Sequence, residues 1–396
     1  MTVSDLIKNI NPSQTLAITA QALKMKKEGK KVISFGAGEP DFDTPKNIGN
    51  EAIFAINKGF THYTTSSGII ELKEAIKDKL KEDNKIDYKT SEIIVSNGAK
   101  QCLFNAILTI CNPGDEVLLP TPCWVSYTEQ IKMAKAVPVF VPTYYKDEFK
   151  LSAIQIEERI TPKTKLIILN SPNNPTGAVY NENELIKIAQ LCAEYNIYCI
   201  CDEIYEKLVY DDAEHYSMAS LGGKVKEKII TINGVSKSYA MTGWRIGYAA
   251  GPEDIIEGMS KIQGHSTSNP NSIAQKASVE ALTGKQDTII AMRKAFDERR
   301  KYMVSRLNQI SGFSCLMPSG AFYAFPDIND ILKKGIKYQG NMIQTSLQLS
   351  DYILKEAEVA VVPGIAFEAE GYLRLSYAAS MENIKEGLDR IEQLLK

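Results

Sequence analysis

Histidine and tryptophan are scarce in this chain of 396 residues, which holds three of the first and two of the second. Excess charge of either sign is missing too. Lys and Arg total 46 and Asp and Glu total 48, a net charge of −2, so no field steers the chain toward nucleic acid or an anionic membrane. No apolar run reaches the roughly 18 residues that a membrane-crossing helix needs. The N-terminus, Met1-Thr-Val-Ser-Asp-Leu-Ile-Lys8, has no basic stretch leading into an apolar segment of signal length. Neither GxGxxG nor GxxxxGK[ST] occurs, which argues against a dinucleotide or a P-loop triphosphate. The seven cysteines (Cys102, Cys111, Cys123, Cys192, Cys199, Cys201, Cys315) are odd in number and sit mostly in apolar runs. They read as reduced, buried thiols, which makes a cytoplasmic location the expectation. Cys199-Ile-Cys201 would put two thiols on one strand face, but no His or second Cys pair accompanies them at ligand spacing, so core is expected there and no metal. Internal repeats and low-complexity tracts are absent.

What is present is the profile of an ordinary globular protein, 44% hydrophobic and 24% charged, at a length that favours two domains, possibly three. From residue 92 to about 250, short β-branched runs alternate with amphipathic stretches. The runs are Glu92–Ser96, Glu116–Pro120, Ala136–Val141, Lys165–Asn170, Tyr198–Asp202, Lys228–Asn233 and Arg245–Ala250. The pattern predicts an α/β fold, a mostly parallel seven-stranded sheet covered by helices on both faces. Ligands of such sheets sit beyond the carboxyl ends of the strands. After residue 250 the reading is a helix to Gln263, a loop Gly264–Pro270, two long helices, then strands at Ser319–Phe325, Val359–Gly364 and Tyr372–Tyr377 among further helices. This tail predicts a smaller α+β domain. The expected division is 47–285 for the large domain, with 1–46 and 286–396 forming the small one.

Polar residues at strand ends carry the chemistry. The sixth run delivers Lys237 into a loop of hydroxyl and small residues, and Arg245 follows eight positions later. An amine can form a Schiff base with an aldehyde while a guanidinium fork clamps a phosphate, so the pair suits an aldehyde cofactor bearing a phosphate. A lysine near a strand end is more often a solvated charge, and the pair alone is a weak signal. The first run ends in Ser96-Asn-Gly98-Ala99-Lys100 and opens a helix, whose free N–H groups suit a phosphate. The fourth ends in Asn170-Ser-Pro-Asn173-Asn174-Pro-Thr-Gly177, a loop that two prolines stiffen. The fifth ends in Asp202-Glu203-Ile-Tyr205, a carboxylate at the rim of a core that needs a cationic partner. Gly36-Ala-Gly38 would let backbone approach a ligand closely, and Arg374 interrupts an apolar strand, where it pairs internally or binds an anion.

These motifs occur in the order and spacing of the fold-type I, pyridoxal-phosphate-dependent aminotransferases. Gly38-Glu-Pro-Asp-Phe-Asp-Thr-Pro45, Ser171-Pro-Asn-Asn-Pro-Thr-Gly177, Asp202-Glu-Ile-Tyr205 and Ser236-Lys-Ser-Tyr-Ala-Met-Thr-Gly-Trp-Arg245 agree together, and the resemblance runs from Asn11 to Tyr377. The sequence most resembles the bacterial and thermophile-type class I aspartate aminotransferases. The resemblance implies pyridoxal 5'-phosphate as cofactor, amino acids and 2-oxo acids as substrates, and a homodimer with shared sites. It implies catalytic roles for Lys237, Asp202 and Tyr205, with Asp202 on the ring nitrogen and Tyr205 and Asn174 on the ring oxygen. Trp124 would stack on the ring. Gly98, Ala99, Lys100 and Arg245 would hold the phosphate, joined by Ser236 and by Tyr63 from the partner subunit. Arg374, Gly38 and Asn174 would fix the α-carboxylate, with Trp124 lining the substrate site. Ser13, Thr15 and Lys100 would meet a second carboxylate. Two departures stand out. Gly234 occupies a place where many relatives carry a phosphate-binding hydroxyl, and the segment at Gly264-His265 lacks the Gln or Arg found in some of them. A broader substrate range (aromatic, prephenate or alanine-type), a C–S lyase on the same fold, and a binding protein that has lost catalysis remain alternatives at this point.

Overall fold

A computed structural model describes residues 3–396; Met1 and Thr2, which the sequence reading assigns to the small domain, lie outside the described residues. The seven expected strands all form, at Ile93–Ser96 (β1), Glu116–Thr121 (β2), Val137–Pro142 (β3), Thr164–Asn170 (β4), Tyr198–Asp202 (β5), Ile229–Gly234 (β6) and Gly247–Ala250 (β7). They pair in the order β1-β7-β6-β5-β4-β2-β3. All neighbours are parallel except β7, which runs antiparallel to both β1 and β6. β1, β4, β5 and β6 therefore end on one edge, where Asn170 lies beside Asp202, and Ser96, Gly247 and Gly234 line up across three strands.

The continuous apolar runs of β4 to β6 are buried on both faces, as parallel strands under helices require. On one face, Ile94, Val117, Leu119, Ile168, Ile200 and Ile232 pack with Leu103, Ile107 and Ile131; on the other, Ile93, Leu118, Ile167, Cys199 and Ile229 pack with Leu72, Ile76 and Ile188. The helix Ala99–Ile110 buries Cys102, Leu103, Ala106, Ile107 and Ile110, a three-and-four spacing that makes one apolar face. Another core joins Ile33, Phe35, Phe296, Phe322, Leu373, Leu375 and Ile391. It contains the strand Leu373–Ser376, which lies between Val362–Pro363 and Tyr323–Ala324.

The structure corrects three boundaries. The helix expected to stop at Gln263 continues through Gly264 and His265 to Ser266, capped by the Thr267 amide on the Gln263 carbonyl. The expected strand Ser319–Phe325 is broken: Gly320 makes an isolated antiparallel bridge with Val209, Ala321 adopts a left-handed φ of 58° that bends the chain, and a strand forms only at Tyr323–Ala324. Val359–Gly364 divides between two sheets: Val359–Ala360 pairs in parallel with Ile33–Ser34, and Val362–Pro363 pairs antiparallel with Leu373 and Arg374. The described part also contains an unanticipated hairpin, Ile336–Tyr338 with Asn341–Ile343.

Gly247 shows how tightly the site edge is built. A Cβ there would overlap the Ala99 amide and the Gly98 carbonyl carbon, so the turn out of β1 passes directly over β7. Gly49, within the helix Lys46–Asn57, has nothing within 4 Å of the corresponding position. Gly247→Ala is therefore expected to lower the urea unfolding midpoint, with a cost of about 1–3 kcal/mol for overpacking, while Gly49→Ala stabilises its helix by roughly 0.5–1 kcal/mol. A Gly247→Ala protein as stable as the parent would contradict the close approach.

Candidate active site

The strand ends and the loop Gly36–Pro45 enclose a cavity of about 410 Å³. Its lining unites Ser13, Thr15, Gly38, Ala99, Lys100, Trp124, Asn174, Asp202, Tyr205, Ser236, Lys237, Arg245 and Arg374, which is nearly the whole set picked out from the sequence. Gly98 stands one residue outside, at the head of the Ala99–Ile110 helix, where its φ of 87° turns the chain. A side chain at Gly98 would also displace the Arg245 guanidinium, and the left-handed φ there favours glycine. Tyr63 does not line the cavity of its own chain and is 91% exposed.

Lys237, Asp202 and Arg374 are among the charged side chains that line the cavity with no ion-pair partner among the described residues. Lys237 donates to the Gly38 carbonyl at 2.5 Å. Burial lowers its ammonium to about 8; Glu39 opposes this, and the Arg245 and Arg374 charges add to it. Asp202 is 4% exposed. Burial pushes its carboxyl up to about 6 against hydrogen bonds from the Tyr127 hydroxyl and the Ile204 amide. Arg374 is 2% exposed, donates to Asn174 Oδ1 at 3.0 Å and the Gly36 carbonyl at 2.8 Å, and lies over the Tyr323 ring at 4.4 Å. Its Nε has no partner, and burial lowers its pKa. A buried guanidinium satisfied only by neutral acceptors is poised for an anion.

Local structure fixes the other members. Asn170 closes β4 by donating to the Asp202 carbonyl at 2.8 Å and accepting from the Asn174 amide at 2.8 Å, which sets the position of the Asn174 side chain. Tyr205 and Tyr323 share a hydroxyl hydrogen bond of 2.9 Å. Trp124 caps the helix Val125–Met133, meets Tyr127 edge to face at 5.4 Å, and carries the Lys100 ammonium over its ring at 4.9 Å. Burial and the Arg245 charge lower the Lys100 pKa. Ser13 and Thr15, which line the same cavity, hydrogen-bond each other at 2.9 Å. Arg245 spends its fork on the Thr242 and Asn97 carbonyls, at 2.8 and 3.4 Å, and has no acid partner among the described residues. At Gly234, an added Cβ would lie 2.9 Å from both the Gly247 Cα and the Ile246 carbonyl, so the hydroxyl expected there in many relatives has no room.

The sequence reading missed Tyr127, Tyr323, Asn170 and Glu39. Asn170 carried a usable signal, as an amide closing the apolar run Leu166–Leu169; the two tyrosines stand among other aromatics and carry none. Outside the cavity, Glu203, Glu206 and His215 approach one another in a buried cluster, and Lys79 already supplies its cation by pairing with Glu206.

Residues 30–391 match the family described as aminotransferase class I and II. The chain belongs to that family. Among similar proteins, the aspartate aminotransferase of Bacillus sp. strain YM-2 is 47% identical over 394 residues, covering 100% of this chain and 99% of that one. The aspartate/prephenate aminotransferase of Nitrosomonas europaea is 45% identical and covers 100% of both chains. The solved aspartate aminotransferase from Thermus thermophilus with maleate has a TM-score of 0.94 at 39% identity, again over 100% of both chains. As a class I and II aminotransferase, this protein is a pyridoxal 5'-phosphate-dependent enzyme. Its residues fit that group: a lysine of lowered pKa, a buried acid lacking a cation, and a guanidinium beside a glycine turn and a helix N-terminus all face one cavity.

The lowered Lys237 pKa yields a direct expectation. In the cofactor-free protein, acylation of Lys237 by acetic anhydride, followed by peptide mass spectrometry, should rise with pH around a midpoint near 8. A midpoint near that of an ordinary lysine, about 10.4, would show that the amine is solvated.

Proposed function

We propose that this aminotransferase moves an amino group between aspartate and 2-oxoglutarate in two half-reactions, as a homodimer whose sites use residues of both subunits. The observation that carries the amino-acid part is Arg374, a buried guanidinium with neutral acceptors on two sides and an unpartnered Nε. It would take the α-carboxylate, with Asn174 and the Gly38 backbone beside it, because a planar fork matches a carboxylate bidentately. The named relatives, all three aspartate or aspartate/prephenate aminotransferases and one of them solved with maleate, support a dicarboxylate substrate.

When bound, pyridoxal 5'-phosphate supplies an aldehyde carbon for the substrate amine and a protonated pyridine ring that withdraws electron density from the substrate Cα. Asp202 would hold the proton on the ring nitrogen, since a buried carboxylate is stabilised by a cation in contact. Tyr205 and Asn174 would donate to the ring oxygen and Trp124 would cover the ring face. The Gly98 and Ala99 amides, Ser236 and Arg245 would hold the phosphate at the helix N-terminus. Lys237, with its amine free, would take the proton from the substrate Cα and deliver it to the former aldehyde carbon, on the far side of the substrate nitrogen; a pKa near 8 leaves an appreciable neutral fraction at pH 7, as a general base requires. The same chain would divide into a large domain over 47–285 and a small one from 1–46 and 286–396. A cytoplasmic location accords with seven buried, unpaired cysteines, and no described helix is long and apolar enough to cross a membrane.

Tyr63 supports the shared site. Its loop is held by buried side chains: Gln263 donates to the Ser66 and Val95 carbonyls at 2.5 and 2.7 Å, and Gln275 accepts from the Ile69 amide at 2.8 Å and donates to Thr64 at 3.1 Å. An aromatic ring left 91% exposed on so fixed a loop would be available to a partner subunit. Mixing inactive Tyr63→Ala and Lys237→Ala chains should restore part of the activity, because a heterodimer then has one site with neither lesion; no recovery after verified subunit exchange would count against sharing.

Lys100 would be the cation that meets a distal carboxylate, with Ser13 and Thr15, which line the same cavity, beside it. Lys100→Ser should raise the KM for aspartate and 2-oxoglutarate at least about tenfold, the worth of one charge-assisted hydrogen bond, and change that for phenylalanine about twofold or less. Equal effects on both substrate classes would assign Lys100 to the phosphate or the fold and leave the dicarboxylate preference unsupported.

A further inference from the structure

Asp202 receives one hydrogen bond from a side chain, and the donor is a cavity-lining residue given no role above. Tyr127, 2% exposed, donates from its hydroxyl to Asp202 Oδ2 at 2.6 Å. The other oxygen, Oδ1, takes only a longer bond from the Ile204 amide, at 3.3 Å. Tyr127 stands in the first turn of Val125–Met133, its amide bonded to the carbonyl of the N-cap Trp124 at 3.1 Å and its ring edge-on to the Trp124 indole. One turn of helix thus joins the aromatic wall of the cavity to the acid at its floor.

We propose that Tyr127 is a positioning residue for this reaction: by occupying Oδ2, its hydroxyl orients Oδ1 and the carboxylate charge toward the ring nitrogen of the cofactor and keeps the shared proton on that nitrogen. This rests on the reading of Asp202 given above. Two bases compete for one proton across a short contact, and the ring withdraws electrons only while the proton stays on nitrogen. A buried carboxylate without donors is a strong base, since desolvation penalises its anion. A donor that cannot itself ionise lowers that basicity. Tyr127 meets this requirement, because burial and the neighbouring Asp202 charge hold its phenol well above the ordinary range, so it remains O–H at any working pH. The titratable groups around Asp202 are Tyr127, Lys237, Glu203, Tyr205, Cys102 and Cys201. Of these, Tyr127 alone donates to the carboxylate. A tyrosine serving only to fill the core would not need this acid: the Tyr210 and Tyr377 hydroxyls, equally buried, are satisfied by the Ala321 carbonyl.

The test uses the holoenzyme loaded with cofactor labelled with 15N in the ring, in the parent, Tyr127→Phe and Asp202→Asn. Tyr127→Phe should move the ring 15N resonance toward that of the unprotonated nitrogen and lower kcat about tenfold, with KM for aspartate changed less than about twofold and the melting temperature close to that of the parent. If Asp202→Asn moves resonance and rate while Tyr127→Phe moves neither, the positioning role is overturned and the Asp202 assignment stands. If Asp202→Asn moves neither, the assignment itself fails and takes this proposal with it. Should Tyr127→Phe not fold, 3-fluorotyrosine at position 127, a stronger donor, replaces it: the resonance must then stay at, or move further toward, the protonated position, and a move the other way overturns the proposal.

Discussion

Uncompensated charge gathered at one edge of a parallel sheet is the constraint on which the site depends. Lys237, Asp202 and Arg374 all face one cavity and none has an ionic partner within the described chain. The two perturbed groups act in opposite directions with pH. Asp202, raised from 3.8 to about 6, favours the folded state below its unfolded pKa and loses that contribution as pH rises through about 6. Lys237, lowered from 10.5 to about 8, is penalised while charged, a cost present below about 8 and relieved as pH climbs toward its unfolded value. Between about pH 6 and 8 the cofactor-free chain therefore bears both charges at a cost. A ligand offering a cation to Asp202, a carbonyl to Lys237 and a carboxylate to Arg374 relieves all three.

What allows the fold to carry this strain is the rigidity around it. The register of β4 on β5 sets Asn170 beside Asp202, and Asn170 in turn fixes Asn174. The loop Gly36–Pro45 is fastened to the lysine loop by Thr44 on the Ala240 carbonyl at 2.7 Å, by Trp244 on Thr44 at 2.9 Å and by Thr242 on Glu39 at 2.7 Å. These bonds join the segment carrying Gly38 to the one carrying Lys237 and Arg245, two stretches about two hundred residues apart in sequence. Preorganisation of this kind lets binding energy go into chemistry rather than into assembling the site.

Much of this was legible before the structure, for physical reasons. Strands buried on both faces read as continuous apolar runs, as β4 to β6 do, and all seven strands fall within about two residues of the runs read from the sequence. A polar residue that ends such a run must sit at the sheet edge, which marks Asp202, Asn170 and the Lys237 loop. Contacts made through register were not legible. Tyr127 meets Asp202 across 75 positions, and nothing near Tyr127 announces it. Tyr323 lies in a segment whose alternation suggested a longer strand, cut short by the left-handed turn at Ala321. The helix past Gln263 was misjudged because Gly264 looks like a terminator, although in this helix it faces open space with only Ser66 nearby, at 3.8 Å.

The central claim is that these charges serve transfer of an amino group and not its release. The most direct measurement mixes cofactor-loaded protein with aspartate in the absence of any 2-oxo acid and counts products. The account predicts one equivalent of 2-oxo acid per chain, with the cofactor left in its amine form and no free ammonia. Continued production of 2-oxo acid with ammonia, or no product at all, would contradict it.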